Sequence, residues 1–144
     1  LGVEAEAVSD LEGAVRQAHI VSTLTLATEP LVCGAWLQPG THVDLVGAFR
    51  PDMRESDDEA MRRASVFVDT RAGACKEGGD IVQALASGAL TPERIRADLF
   101  DLARGTHVGR SDDSEITLFK SVGAALEDLA AARLVWQTDA ASIN

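Results

Sequence analysis

Residues 42–55 read HVDLVGAFRPDMRE, an apolar run that stops at a glycine and passes at once into charge. Val43, Leu45 and Val46 have the character of a buried strand, Gly47 ends it, and Arg50, Asp52, Arg54 and Glu55 crowd the exit around Pro51. Upstream, HIVSTLT (19–25) is a second such strand with a polar end at Ser22, Thr23 and Thr25, and downstream SVFVDT (65–70) is a third. Helical stretches separate them. Ser9 and Glu12 have capping-box spacing beside Leu11, Ala14, Val15 and Ala18, and Ser56 with Glu59 repeats it ahead of Ala60, Met61 and Ala64. Strands that are apolar throughout and alternate with helices predict an α/β fold built on a parallel sheet.

The carboxyl-terminal half is read the same way. GACKEGGD (73–80) is a loop or short helix ending in two glycines. Thr91-Pro92 predicts the start of a helix that carries Ile95, Leu99, Leu102 and Ala103 on one face and stops at Gly105. Ile116 and Leu118 lead to a turn at Lys120-Ser121, with Ser121 as the predicted N-cap of a long helix bearing Val122, Ala125, Leu126 and Leu129. The length of 144 residues and an apolar share of 46% suffice for one domain with a core. Twenty-three acids against thirteen bases, net −10, speak against nucleic acid as a partner, because phosphate backbones need a basic face. Cys33 and Cys75 have neither CxxC spacing nor histidines at zinc-ligand intervals, so no metal site is predicted and both read as reduced, core-filling thiols of a cytoplasmic protein. No apolar run has the length of a membrane span. The chain opens on Leu1 instead of Met, the first sign of a longer protein.

Ligands of parallel α/β sheets bind at the carboxyl ends of strands. Three polar exits qualify: 23–28, 47–50 and 69–71. No two of the twelve glycines are separated by a single residue, so GxGxxG is missing, and there is no Walker loop, HExxH or GxSxG. His19, His42 and His107 lie far apart and read as structural. Arg50, just past a strand's end, either clamps a carboxylate through two parallel hydrogen bonds or pairs with Asp52 or Glu55. Glu77 is either a general acid or base beside a close-approaching glycine backbone, or a loop charge. Lys120 and Ser121 end an alternating strand and either open an anion-favouring helix start or form an ordinary strand-helix junction.

Three stretches together, residues 22–59, 66–81 and 115–135, resemble the carboxyl-terminal half of the ornithine cyclodeaminase and mu-crystallin family, in the family's order and over nearly the whole chain. The resemblance implies an NAD(P)H-dependent protein in which a mid-chain Rossmann domain binds the nucleotide and the two chain ends form a dimerisation and substrate domain. Residues 1–68 would then be a partial NAD(P)-binding Rossmann domain lacking its first βαβ unit. Residues 69–144 would complete it and supply the carboxyl-terminal segment of the other domain. The glycine fingerprint would lie ahead of Leu1, making this chain a fragment. By the same resemblance Thr25, Val46, Gly47 and Ser121 border the nucleotide, and Arg50 and Glu77 border the substrate. The implied partners are a cyclic imino acid or amino acid and a second copy of the full-length chain. Deaminating members carry an aspartate where Phe49 stands, so VGAFRPDMRE is closer to the reductases of cyclic imines such as Δ1-pyrroline-2-carboxylate. The alternatives are ornithine cyclodeamination and a non-enzymatic ligand-binding or assembly module.

Overall fold

A computed structural model describes residues 2–142; Leu1, Ile143 and Asn144, the ends of the two predicted domain ranges, lie outside them. Five parallel strands, β1 (Ile20–Thr23), β2 (His42–Leu45), β3 (Ser65–Val68), β4 (Ile95–Asp98) and β5 (Thr117–Lys120), form one sheet in the order β1-β2-β5-β3-β4. The helices are α1 (Leu11–Gln17), α2 (Asp58–Arg63), α3 (Arg71–Glu77), α4 (Gly79–Ser87), α5 (Leu99–Arg104) and α6 (Ala125–Ser142). The α/β class with a parallel sheet is therefore observed.

Because side chains alternate along a strand, Val43 and Leu45, Val66 and Val68, and Leu118 with Lys120 share one face. There Ala60 and Met61 of α2, Ala74 of α3, and Ile81 and Ala84 of α4 close the core. Each Val, Leu or Ile so buried contributes roughly 1.5–3 kcal/mol. The opposite face, with His42, Phe67, Thr117 and Phe119, is covered only in part by α5 and the 105–114 loop. Strand β1 forms one edge of the sheet, and Ile20 on it is exposed. Helix α6 exposes Leu126, Leu129, Leu134, Val135 and Trp136, the last at 76%. No helix among the described residues is long and apolar enough to cross a membrane.

Several local expectations are corrected. Helices α1 and α2 are capped by Asp10 and Asp57, whose carboxylates accept the Gly13 and Ala60 N–H groups, and not by Ser9 and Ser56. Asp57 also receives Gly34 N at 2.8 Å, while Ser56 is drawn inward to Asp80. The helix expected from Pro92 onward is a 3₁₀ turn (Pro92–Arg94), then strand β4, and only then α5. Ile95, Leu99 and Leu102 do fall at helical spacing, but Ile95 and Ala97 bury by pairing with β3, a gain that no local pattern records. Asp98 and Asp101 form a reciprocal capping box that marks the true helix start. Gly105 stops α5 as expected, at φ 71°. The stretch 73–80 ends α3 and begins α4, joined at Gly78. Ser121 caps nothing: α6 begins at Ala125, because Gly123 turns at φ 85° and the Val122 and Gly123 N–H groups are held by Asp69 Oδ2 at 2.7 and 2.9 Å. Cys75 is half-buried and packs against the core as expected, Cys33 is half-buried without being part of that core, and burial pushes both thiols up, away from the reactive thiolate.

Candidate functional site at the strand exits

The exits of β1, β2, β5 and β3 are sewn into one rim. Thr23 O accepts Val46 N and Gly47 N at 2.9 and 3.1 Å, and Thr25 O accepts Ala48 N at 3.3 Å. Leu45 O accepts Ser121 N, and Lys120 O accepts Asp69 N, both at 3.2 Å. Behind the rim sit four buried ionisable side chains: Glu55, Asp69, Asp80 and Lys120. Glu55 accepts Thr23 Oγ1 at 2.8 Å and Thr25 N at 2.6 Å. Asp80 Oδ1 accepts Glu55 N, Ser56 N and Ser56 Oγ at 3.0, 2.8 and 2.9 Å, while Oδ2 has no partner. Lys120 Nζ donates to the carbonyls of Leu45 (3.1 Å), Gly47 and Ser121 (2.6 Å).

Gly47 is required first by this packing. A Cβ on it would fall on the Glu55 carboxylate and on Thr25 O. The next residue, Ala48, is buried at φ 45°, a left-handed conformation costing an alanine roughly 1–2 kcal/mol. Its carbonyl is held by Gly79 N at 2.9 Å, which pins the turn against the start of α4.

Burial pushes the Lys120 ammonium below its usual lysine range, against the attraction of Asp80, Glu55, Asp69 and Asp44. Burial likewise pushes Asp80 above the usual carboxylate range, against its bonds from Ser56 and Glu55 and the charge of Lys120. A carboxyl raised on folding stabilises fully below its unfolded pKa of about 3.9 and loses that contribution as pH rises through the folded value. Asp80→Asn keeps the Oδ1 acceptor and removes the ionisation. Its stability relative to the parent chain should become more favourable as pH rises from 4 to 7, measured by urea midpoints. A difference that does not change with pH would show that Asp80 carries no penalised charge.

The structure gathers Thr25, Val46, Gly47 and Ser121 along this rim, Thr25 and Ser121 half-buried and Val46 38% exposed. It does not join Arg50 and Glu77. Arg50 pairs with Asp52 (Nε–Oδ1 3.1 Å, Nη2–Oδ2 3.0 Å) with both side chains exposed, and this bond holds the Asp52 carboxyl down. Glu77 ends α3, exposed and without an ion pair among the described residues. The glycines after it admit the chain's own backbone: a Cβ on Gly79 would meet the carbonyls of Arg50 and Met53. Sequence reasoning missed the buried roles of Glu55, Asp69, Asp80 and Lys120. For Lys120 a signal existed, since it shares the parity of Ile116 and Leu118 and so falls on the buried face. A groove of 410 Å³ between α5 and the sheet, lined by His42, Phe67, Leu102, Arg110 and Phe119, contains none of the predicted site residues. No cluster suited to a metal ion occurs among the described residues.

Residues 1–142 match the sequence model of the ornithine cyclodeaminase/mu-crystallin family. The chain is 51% identical over 130 residues to Δ1-pyrroline-2-carboxylate reductase of Paracoccus denitrificans, covering 89% of this chain and 41% of that protein. It is 45% identical over 130 residues to ketimine reductase mu-crystallin of Mus musculus, covering 90% and 39%. Its fold superposes on Thermococcus litoralis Δ1-pyrroline-2-carboxylate reductase in complex with NADH and L-proline with a TM-score of 0.87, at 38% identity, covering 90% of this chain and 40% of that one. This chain thus spans well under half the length of the relatives it matches.

Proposed function

This chain belongs to the ornithine cyclodeaminase/mu-crystallin family, and we propose that it forms part of an NAD(P)H-dependent reductase of cyclic imino acids, such as Δ1-pyrroline-2-carboxylate, working in the cytoplasm. In this reading residues 1–68 are the later part of the nucleotide domain, and residues 69–144 complete it and lead into a substrate and dimerisation domain. The observation that carries it is the continuous rim of Thr25, Val46, Gly47 and Ser121 at the carboxyl ends of adjacent strands, where parallel α/β sheets take their ligands. An exposed apolar Val46 and the half-buried, polar Thr25 and Ser121 on the same rim are the mix of surfaces that a flat ring carrying a carboxamide would meet. When bound, the dihydronicotinamide supplies hydride to the imine carbon. The protein's part is to orient the two partners and to hold the substrate's carboxylate.

Arg50 is assigned to that carboxylate, with Glu77 on the neighbouring segment. The arginine must exchange Asp52 for the substrate, and magnitudes favour the exchange. An exposed ion pair is worth about 0–1 kcal/mol, whereas a charge-assisted bidentate contact inside a site is worth about 1.5–3 kcal/mol. Phe49, 48% exposed at the position where deaminating members carry an aspartate, leaves no carboxylate there to activate water, which disfavours cyclodeamination. The exposed Leu126, Leu129 and Trp136 of α6 support a second subunit as the partner of that helix.

In a protein carrying this chain at the length of its relatives, Arg50→Ala should raise the KM for Δ1-pyrroline-2-carboxylate about 10-fold, with cofactor affinity nearly unchanged. Ser121→Ala should show the reverse ordering, weakening NAD(P)H more than the imine. Steady-state kinetics and cofactor titration separate the two. Unaltered imine kinetics in Arg50→Ala would return the arginine to its surface pair with Asp52.

A further inference from the structure

Lys120 is fully buried, yet it forms no ion pair among the described residues. All three of its donors are spent on main-chain carbonyls, those of Leu45 and Gly47 at the exit of β2 and that of Ser121 at the exit of β5. An apolar side chain at this position would avoid the cost of desolvating an ammonium. It would also leave the Gly47 and Ser121 carbonyls at the end of a parallel sheet without their partner, and Leu45 O with the Ser121 N–H alone. The cation therefore specifies an arrangement more than it adds stability. On the other flank, Asp69 holds the Val122 and Gly123 N–H groups, so the segment after β5 is tied to β2 by a buried cation and to β3 by a buried anion.

We propose that Lys120 is a positioning residue of the rim: its ammonium locks the exits of β2 and β5 together through the carbonyls of Leu45, Gly47 and Ser121, so that Gly47 and Ser121 meet a nucleotide as one rigid edge. The nucleotide part of this statement rests on the reading of the rim given above; the locking does not.

Amide hydrogen exchange on the 144-residue chain tests the locking without any ligand. In Lys120→Met, the amides of Val46, Gly47 and Ser121 should exchange at least 10-fold faster, while Val66, Phe67 and Val68 in β3 and the residues of α4 keep their protection. Lys120→Arg, which keeps a cation with several donors, should recover a large part of the lost protection at the rim. If Lys120→Met does not fold, Lys120→Gln, with two donors and no charge, is read in the same way. Acceleration spread evenly over the sheet, or none at the rim, would overturn the proposal, since either result makes Lys120 a residue of general stability. An NADH titration of a protein carrying this chain at the length of its relatives, followed by tryptophan fluorescence, should show at least 10-fold weaker binding in Lys120→Met. No NADH binding by the unsubstituted protein of that length, with the local exchange pattern present, would count against the nucleotide reading alone. Unchanged NADH affinity in a variant whose rim has loosened would overturn the rigid-edge role.

Discussion

Gly79→Ala should lower the unfolding free energy of this chain by about 3 kcal/mol, near the upper end of what one extra methyl costs in a packed site. The added Cβ falls on the carbonyls of Arg50 and Met53, which are main-chain atoms and have no rotamer to escape into. Those carbonyls are fixed in turn, because Met53 N closes the turn on Arg50 O at 3.0 Å and Gly79 N itself anchors Ala48 O at 2.9 Å. Alanine in a helix gains up to about 1 kcal/mol over glycine, so the clash outweighs the propensity. Urea unfolding gives the number directly. A loss below about 1 kcal/mol would mean that the 50–53 turn can slide, and that Arg50 is held less firmly than the structure implies.

Glu55→Ala should be comparably damaging, for a different reason. Its carboxylate is the acceptor for Thr23 Oγ1 and Thr25 N, and truncation strands both donors in a buried place, at about 1–3 kcal/mol each. The total expected is about 3–5 kcal/mol. Glu55→Gln is the informative control. Its amide oxygen can still accept Thr25 N, and the Thr23 hydroxyl can rotate to accept from the amide nitrogen, so the cost should fall to about 1 kcal/mol. Equal losses for alanine and glutamine would show that the hydrogen bonds are not what Glu55 contributes.

Both substitutions act on the exit loop that the sequence makes conspicuous, residues 47–55, through groups the sequence leaves inconspicuous. Glycine at 47 was legible as a strand end, and Arg50 as a guanidinium near it. That the glycine makes room for Glu55, and that Arg50 rests on Asp52, depends on which side chains the turn folds back, and a linear pattern does not encode that. Thr25, Val46, Gly47 and Ser121 were singled out through family resemblance and do assemble on one rim, because parallel strands of similar length bring their carboxyl ends to one edge of the sheet.

What this sequence determines by itself is the class of the fold and four of its five strands, since apolar or alternating runs bounded by glycine and by helices have few other ways to bury themselves. It also determines the family, through three ordered stretches. Tertiary structure alone decided that residues 95–98 are a strand. Two inward side chains over four residues carry too weak a period to outvote helical spacing, and the edge of β3 supplies the missing hydrogen bonds. It alone decided the order β1-β2-β5-β3-β4, which inserts the last strand between two earlier ones. The same insertion delivers Lys120 between the exits of β2 and β3. An ammonium there finds three carbonyls and four carboxylates that are scattered over the sequence from Asp44 to Ser121, so its partners exist only once the sheet has closed around it.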